Sequence, residues 1–136
     1  MLSSSAPSWA ALGEYESSVG ADQQYFRAEI RQKNYAGYTV QQIITPQGTV
    51  IREYISPAGK VFGVAWQARS MPNLQQLLGS YFPQVMVAAQ AQAHRGPLVV
   101  RSNDLVFASA GHMMAFHGAA YVPSLLPSHL SGEAVR

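Results

Sequence analysis

Two histidines and two methionines lie close together in the C-terminal third of the chain and are the residues best suited to binding a metal. His112 and His117 flank Met113 and Met114 within residues 105–132, a stretch without a charged residue. Imidazole and thioether donors together suit a copper-type ion. On one straight strand, however, residues five positions apart point to opposite faces of the sheet. A metal site at His112, Met113 and His117 is therefore the alternative to ordinary hydrogen-bonded histidines.

The sequence contains no arrangement typical of an enzyme. Asp104, Ser109 and His112 are near one another, but no Gly-x-Ser-x-Gly elbow surrounds the serine. The seven Asp and Glu residues are too scattered to predict a pair of carboxylates for acid–base chemistry. No phosphate-binding loop or dinucleotide fingerprint occurs either. We expect a protein that is not an enzyme and that has no cofactor.

One arginine has the surroundings of a partner-binding residue. In the strand predicted at 49–56, alternation places Arg52 on one face with Val50 and Tyr54, and Glu53 on the other face. Arg52 and Glu53 therefore cannot pair directly. Because a surface arginine beside an aromatic ring can anchor a partner, we take Arg52 and Tyr54 as candidate binding residues. A solvated arginine is the simpler alternative.

A long helix is predicted from Asn73 to about Gln92, where apolar residues recur every three or four positions. Pro83 removes one backbone hydrogen bond, so we expect a kink near Gly79 or two helical pieces. The polar face, which includes Gln76 and Gln84, carries no charge and is cheaper to dehydrate than a charged face. Gln76 and Gln84 are therefore also candidate partner-binding residues, with a solvated glutamine-rich face as the alternative.

Three strands are predicted before this helix, at 38–45, 49–56 and 60–66. They are rich in Val, Ile, Tyr, Thr and Phe. The turns between them, Pro46-Gln47-Gly48 and Pro57-Ala58-Gly59, repeat at an interval of eleven residues. This pattern predicts a three-stranded antiparallel meander. The third strand is apolar throughout, so it should lie centrally or be covered on both sides.

Weaker signals complete the order of elements. Residues 17–33 are predicted to form a helix with a thin apolar face. A hairpin is expected from strands at 98–101 and 105–108, followed by strand segments at 112–117 and 121–126. The predicted fold is α+β, an antiparallel sheet packed against one long, Pro-kinked helix.

Composition excludes several classes of protein. The 136 residues suffice for one domain, with 48% hydrophobic and 12% charged residues. Nine Lys and Arg against seven Asp and Glu are scattered singly, so the sequence does not predict nucleic-acid binding. There is no cysteine, which excludes disulfides and thiolate metal sites. No segment is continuously apolar for long enough to predict a transmembrane helix.

The first residues have one property of an export signal. Ser8 and Ala10 are the small residues that signal peptidase requires before a cut. The charged and apolar regions that should precede them are missing. We therefore expect residues 1–10 to be the remnant of an export signal, with an ordinary chain terminus as the alternative.

Several motifs are long enough to be specific: 38–40, 48–59, 61–66, 77–82, 104–106, 111–113 and 125–127. With them the chain resembles, over roughly Ala11 to Pro127, a small proteobacterial family catalogued as domain of unknown function 2844. Members look like exported proteins whose mature chain starts near an Ala-Leu-Gly, such as residues 11–13. The resemblance implies an exported protein with one family domain, and it implies no catalytic residues. Met114 and Ala119 stand where the family pattern has basic residues, which argues against anion binding at that strand.

The sequence thus predicts three parts: the signal remnant at 1–10, a single α+β domain at 11–127 and a flexible tail at 128–136. We expect a non-enzymatic module, periplasmic or secreted if an upstream signal peptide exists, that binds a protein partner or a second copy of itself. The alternative is a small-ligand or copper-type metal-binding protein that uses the strand with His112 and Met113.

Overall fold

One antiparallel sheet of seven strands forms the centre of the fold. The computed structural model describes residues 11–15, 29–93 and 96–136. The spatial order of the strands is β1-β2-β3-β4-β7-β6-β5. Two helices follow β4 in the chain, so the predicted α+β class is confirmed. The elements are β1 Glu29–Tyr35, β2 Tyr38–Ile44, β3 Val50–Ile55, β4 Val61–Ala68, α1 Leu74–Leu78, α2 Phe82–Ala91, β5 Leu98–Arg101, β6 Val106–His112 and β7 Ala115–Tyr121.

The predicted meander is confirmed as β2, β3 and β4, and β4 is the central strand of the seven. The register between β3 and β4 shifts, because Tyr54 pairs with Gly63 while Ile55 pairs with Val61. Phe62 is the extra residue of this β-bulge. As a result Phe62 and Gly63 lie on the same face of the sheet, although they are adjacent in the chain.

The long helix is divided into two pieces, as Pro83 predicts. The Asn73 side chain caps α1 by accepting a hydrogen bond from the Gln76 amide at 3.1 Å. Gly79 ends α1 with a positive φ of 55°, and a single 3-10 turn leads into α2. Pro83 lies in the first turn of α2, where a missing N–H costs nothing. Neither described helix has the length and apolar character of a membrane span.

The helices cover one side of the sheet, which we call the helix face. Here the fully buried Leu77, Leu78 and Val85 join a core that includes Trp66 and Phe107. Residues 11–15 also pack here: Ala11 and Leu12 are buried, the Leu12 amide donates to the Leu77 carbonyl at 2.9 Å, and the Gly13 amide donates to the Val61 carbonyl at 2.8 Å.

The helix predicted at 17–33 is wrong for its last five residues, which belong to β1. Every residue of β1 pairs with β2, from Glu29 with Ile44 to Tyr35 with Tyr38. The apolar face available to a helix was thin, and seven strand pairings outweigh a weak helical pattern. The remainder of the predicted helix lies outside the described residues, as does the proposed signal remnant at 1–10.

The single strand predicted at 112–117 is also wrong. Met113 and Met114 form a turn, and the chain reverses from β6 into β7. Met114 has a positive φ of 66°, which is uncommon for a residue other than glycine. The sequence offers no glycine or asparagine between His112 and Ala115 to signal this turn.

The other side of the sheet is covered by residues 123–136, which we call the strap, and we call this side the strap face. For 128–136 the sequence predicts a flexible tail, yet Val135 is buried and Leu130 is half-buried against a second core that includes Tyr54 and Phe62. His129 Nε2 lies 3.0 Å from the Ala36 carbonyl oxygen in the β1–β2 turn. The strap packs because the bulge presents Phe62 and Gly63 as an apolar surface to cover.

Candidate binding groove

The strap face is built from every second residue of each strand. In β1 these residues are Arg31, Lys33 and Tyr35, which pair with Gln42, Val40 and Tyr38 of β2. Directly paired residues in an antiparallel sheet point to the same side. Arg52 and Tyr54 continue the same two rows on β3, where they pair with Gln42 and Val40.

Three tyrosines form a continuous aromatic surface on this face. The Tyr35 and Tyr38 rings stack with their centroids 5.0 Å apart, and the Tyr38 and Tyr54 rings stack at 6.3 Å. Phe62, which is fully buried, closes the cluster at 6.1 Å from both Tyr38 and Tyr54. The cluster is therefore buried at the Phe62 end and open at Tyr35, which is 43% exposed.

A groove of about 570 Å³ lies between these strands and the end of the strap. Four of the nine Lys and Arg residues of the chain line it: Arg31, Lys33, Arg52 and Arg136. No Asp or Glu is among the lining residues. Glu29 pairs with Arg31 Nε at 3.0 Å from outside the groove, and both side chains are more than half exposed. Such a pair is weak, so the side chains of the groove carry an excess of positive charge.

Arg52 and Tyr54 are held in place by the main chain of Arg136. Arg52 Nε donates to the Arg136 carbonyl oxygen at 2.9 Å. The Tyr54 hydroxyl donates to the same oxygen at 2.7 Å and accepts from the Arg136 amide at 3.2 Å. The Nη groups of Arg52 have no hydrogen bond within the described part of the chain. The guanidinium is thus fixed at one nitrogen and retains donors for a ligand.

The groove can bind an anionic group in chemical terms. Guanidinium and ammonium groups favour carboxylates or phosphates, and arginine can bind a carboxylate with two parallel hydrogen bonds. The tyrosine rings add an apolar surface beside the charges. The Lys33 ammonium lies 5.3 Å from the centre of the Tyr35 ring, which keeps this cation beside the open end of the aromatic cluster.

The chain matches one family over residues 8–135, and that family is described as "Protein of unknown function (DUF2844)". The chain belongs to this family. No curated protein and no solved structure matches it. The match to DUF2844 extends to residue 135 and therefore includes all of the strap except Arg136.

In this DUF2844 chain the four predicted partner-binding residues fall on two different faces. Arg52 and Tyr54 lie together in the groove, whereas Gln76 and Gln84 lie on the helices of the opposite face. Gln84 Oε1 accepts a hydrogen bond from the Ser102 hydroxyl at 2.6 Å, which ties α2 to the loop after β5. The structure therefore does not bring the glutamines and the arginine into one site.

The predicted metal-ligating residues lie at the tip of the β6–β7 hairpin. His112 pairs with Ala115, and Ala110 pairs with His117. Both histidines therefore point to the strap face, and the prediction that they face opposite sides is wrong because the chain turns between them. Met113 is 85% exposed at the turn. Among residues 11–15, 29–93 and 96–136, no three His, Asp or Glu side chains converge in a way that could hold a metal ion.

Glu53 lies on the helix face and is fully buried, so it points away from Arg52, as alternation in β3 predicts. The residues that sequence reasoning missed are Arg31, Lys33, Tyr35, Tyr38 and Arg136. The first three had no clear signal, because residues 31–35 lack the alternation of apolar and polar residues that is typical of a half-buried strand. Arg136 had none, since its place depends on the packing of the strap.

Proposed function

We propose that this chain is a non-enzymatic binding module, exported to the periplasm or cell envelope, which holds an acidic segment of a partner protein in the strap-face groove. The observation that carries the proposal is the lining of the groove, with four cationic side chains and no Asp or Glu side chain. A groove of about 570 Å³ beside stacked tyrosines has room for more than a small compact anion, which favours a peptide.

Binding of a defined peptide tests this function. The probe is an extended, fluorescently labelled peptide rich in Asp and Glu, and the control peptide has Asn and Gln at the same positions. We expect the acidic peptide alone to bind the purified full chain, with an affinity that falls as salt is added because the contacts are exposed charges.

Two charge-matched double variants locate the site. Arg31→Gln with Lys33→Gln removes two groove cations, whereas Lys60→Gln with Arg69→Gln removes two cations outside it. The groove variant should bind about tenfold more weakly, or about 1.4 kcal/mol for two partly exposed charges, and the control variant should change little. Three results would each overturn the proposal. The two double variants could lose the same affinity for the acidic peptide, or the wild-type chain could fail to bind the peptide at low salt. The chain could also bind a short oligonucleotide more tightly than the peptide.

Export rests on different observations. Ser8 and Ala10 precede Ala11, which is the first residue of the packed segment 11–15, and the Ala11 amide donates to Glu14 Oε2 at 3.2 Å. A cut after Ala10 would leave the new terminal ammonium beside this carboxylate, a favourable ion pair. Mass spectrometry of the protein from the envelope fraction of its own host should find Ala11 at the N-terminus. An unprocessed Met1 would contradict export without affecting the groove, and the same spectrum distinguishes a bound partner from a second copy.

A copper-type metal site is the second candidate, and one observation favours it: the hairpin places His112 and His117 on the same face, next to Met113 and Met114. Titration of the chain with Ag⁺, a redox-inert probe of soft sites, tests this candidate. The metal site would be supported if the wild-type chain binds Ag⁺ stoichiometrically, the double variant His112→Ala with His117→Ala does not, and His94→Ala still does. Equal binding by both variants would exclude the hairpin as the site.

A further inference from the structure

A second, apolar depression lies beside the groove on the strap face. Arg52 and Arg136 line both the groove and this depression, so the two are adjacent. Its volume is about 270 Å³, and Ala108 and Ala119 belong to its floor. We call these two alanines the alanine shelf. His117 lines the same depression.

The register of the sheet extends the shelf toward the β5 edge. Ala119 pairs with Ala108, and Ala108 pairs with Val99. Ala108 is exposed and Val99 is 53% exposed. Ala119 is half-buried against the core around Phe62, whereas Ala108 and Val99 form an exposed apolar strip that is available for contact with a partner.

We infer that the alanine shelf receives one aromatic side chain of the acidic segment, an inference that rests on the proposed function. A floor of methyl groups is flat and accepts the face of a ring, while a branched aliphatic side chain would contact it at few atoms. A guanidinium group of Arg52 or Arg136 at the rim can stack on the outer face of the bound ring, where the ring is electron-rich. The shelf would thus select partners with an aromatic residue near their acidic residues.

The geometry of the sheet limits the spacing that the partner needs. Arg52, Ala65 and Ala119 are successive residues of one cross-strand row. Neighbouring strands are about 4.8 Å apart, so about 10 Å separates the Cα atoms of Arg52 and Ala119. An extended chain covers that distance in about three residues. Because the Arg52 side chain itself lines the depression, the aromatic residue should lie within about three positions of the last acidic residue.

Two peptides and two leucine variants test the inference. One peptide carries Phe three positions after its last acidic residue, and the other carries Ala there. The full chain should bind the Phe peptide about tenfold more tightly than the Ala peptide, as expected for an apolar group that fills a pocket. Ala108→Leu, which fills the shelf, should remove this preference. Ala91→Leu makes the same change at an exposed position of α2 and should retain the preference.

Val99→Ser is the second shelf variant, because an exposed edge-strand position tolerates substitution without loss of the fold. It should reduce the preference for Phe. If both peptides bind equally to the wild-type chain, or if the preference survives in Ala108→Leu and Val99→Ser, the inference fails while the acidic groove stands. If neither peptide binds, the proposed function and the inference fail together.

Discussion

At the scale of single residues, Arg52 and Tyr54 are organised by the main chain of Arg136 and not by each other. The carbonyl oxygen of Arg136 accepts from both side chains, which lie two positions apart on β3. A side chain that is already held in place loses less conformational entropy when a ligand binds. The contact between the strap and β3 therefore fixes two side chains of the groove and also stabilises the fold.

Tyr54→Phe tests this contact. The substitution removes the hydroxyl that bonds to Arg136 and leaves the ring stacked on Tyr38 and in contact with Phe62. We expect the free energy of unfolding in urea to fall by about 1 kcal/mol, the usual net value of a hydrogen bond. Tyr35→Phe, whose hydroxyl has no hydrogen bond in the described part of the chain, should change it by less than about 0.5 kcal/mol. If both substitutions lower the free energy of unfolding equally, the hydrogen bond between the Tyr54 hydroxyl and Arg136 contributes no stability of its own.

Gly63 is the residue that permits the strap to approach the sheet. A Cβ atom at this position would lie 2.6 Å from Val135 Cγ2. Gly63→Ala should therefore lower the free energy of unfolding by about 1 to 3 kcal/mol through overpacking. Val135→Ala removes the methyl groups that the new Cβ atom would meet. In the Val135→Ala background, Gly63→Ala should therefore lower the free energy of unfolding by less. Additive effects in this double-mutant cycle would mean that the two residues are not in contact.

At the scale of elements, the break between α1 and α2 follows from two local signals, Gly79 and Pro83, and Asn73 marks the start of α1. Each residue acts through the backbone of its own turn, by a positive φ, by the absence of an N–H or by capping. The sequence therefore indicated this break correctly. β1 shows the opposite case, because its conformation depends on pairing with β2 and its own residues are compatible with a helix.

The Asn73 cap can be measured directly. Asn73→Ala should lower the free energy of unfolding by about 1 kcal/mol, because the Gln76 amide loses its acceptor. Asn73→Ser keeps a side-chain acceptor and should retain most of the stability. Urea denaturation of the two variants and the wild type gives the comparison, and equal losses in both would exclude a capping role.

At the scale of the whole molecule, the sheet has two apolar faces and therefore two covering layers. The helices bury one face, and the strap buries the middle of the other. The part of the strap face that remains open holds the groove and the alanine shelf. The fold thus leaves its positive charge and its exposed small residues side by side on one surface.

Removal of residues 128–136 tests the strap as a structural layer. The truncated chain loses the burial of Val135 and uncovers part of the core around Phe62. We expect the free energy of unfolding to fall by about 2 to 4 kcal/mol, from the burial of one to two apolar side chains. Arg136→Ala, which keeps the carbonyl oxygen and amide that bond to Tyr54, should lose much less. A truncated chain as stable as the full chain would instead support the flexible tail that the sequence predicts.

The sequence by itself determined the meander, the central position of β4, the divided helix and the α+β class, because turn residues, capping residues and hydrophobic periodicity act over a few positions. Only the tertiary structure decided the site. Arg31, Lys33, Arg52 and Arg136 are scattered singly along the chain, and they converge because alternate residues of neighbouring strands share a face and the strap returns to β3. The same reason places His112 and His117 together. Contacts between distant residues depend on strand register and on the packing of the chain end, and neither has a signature within a short window of sequence.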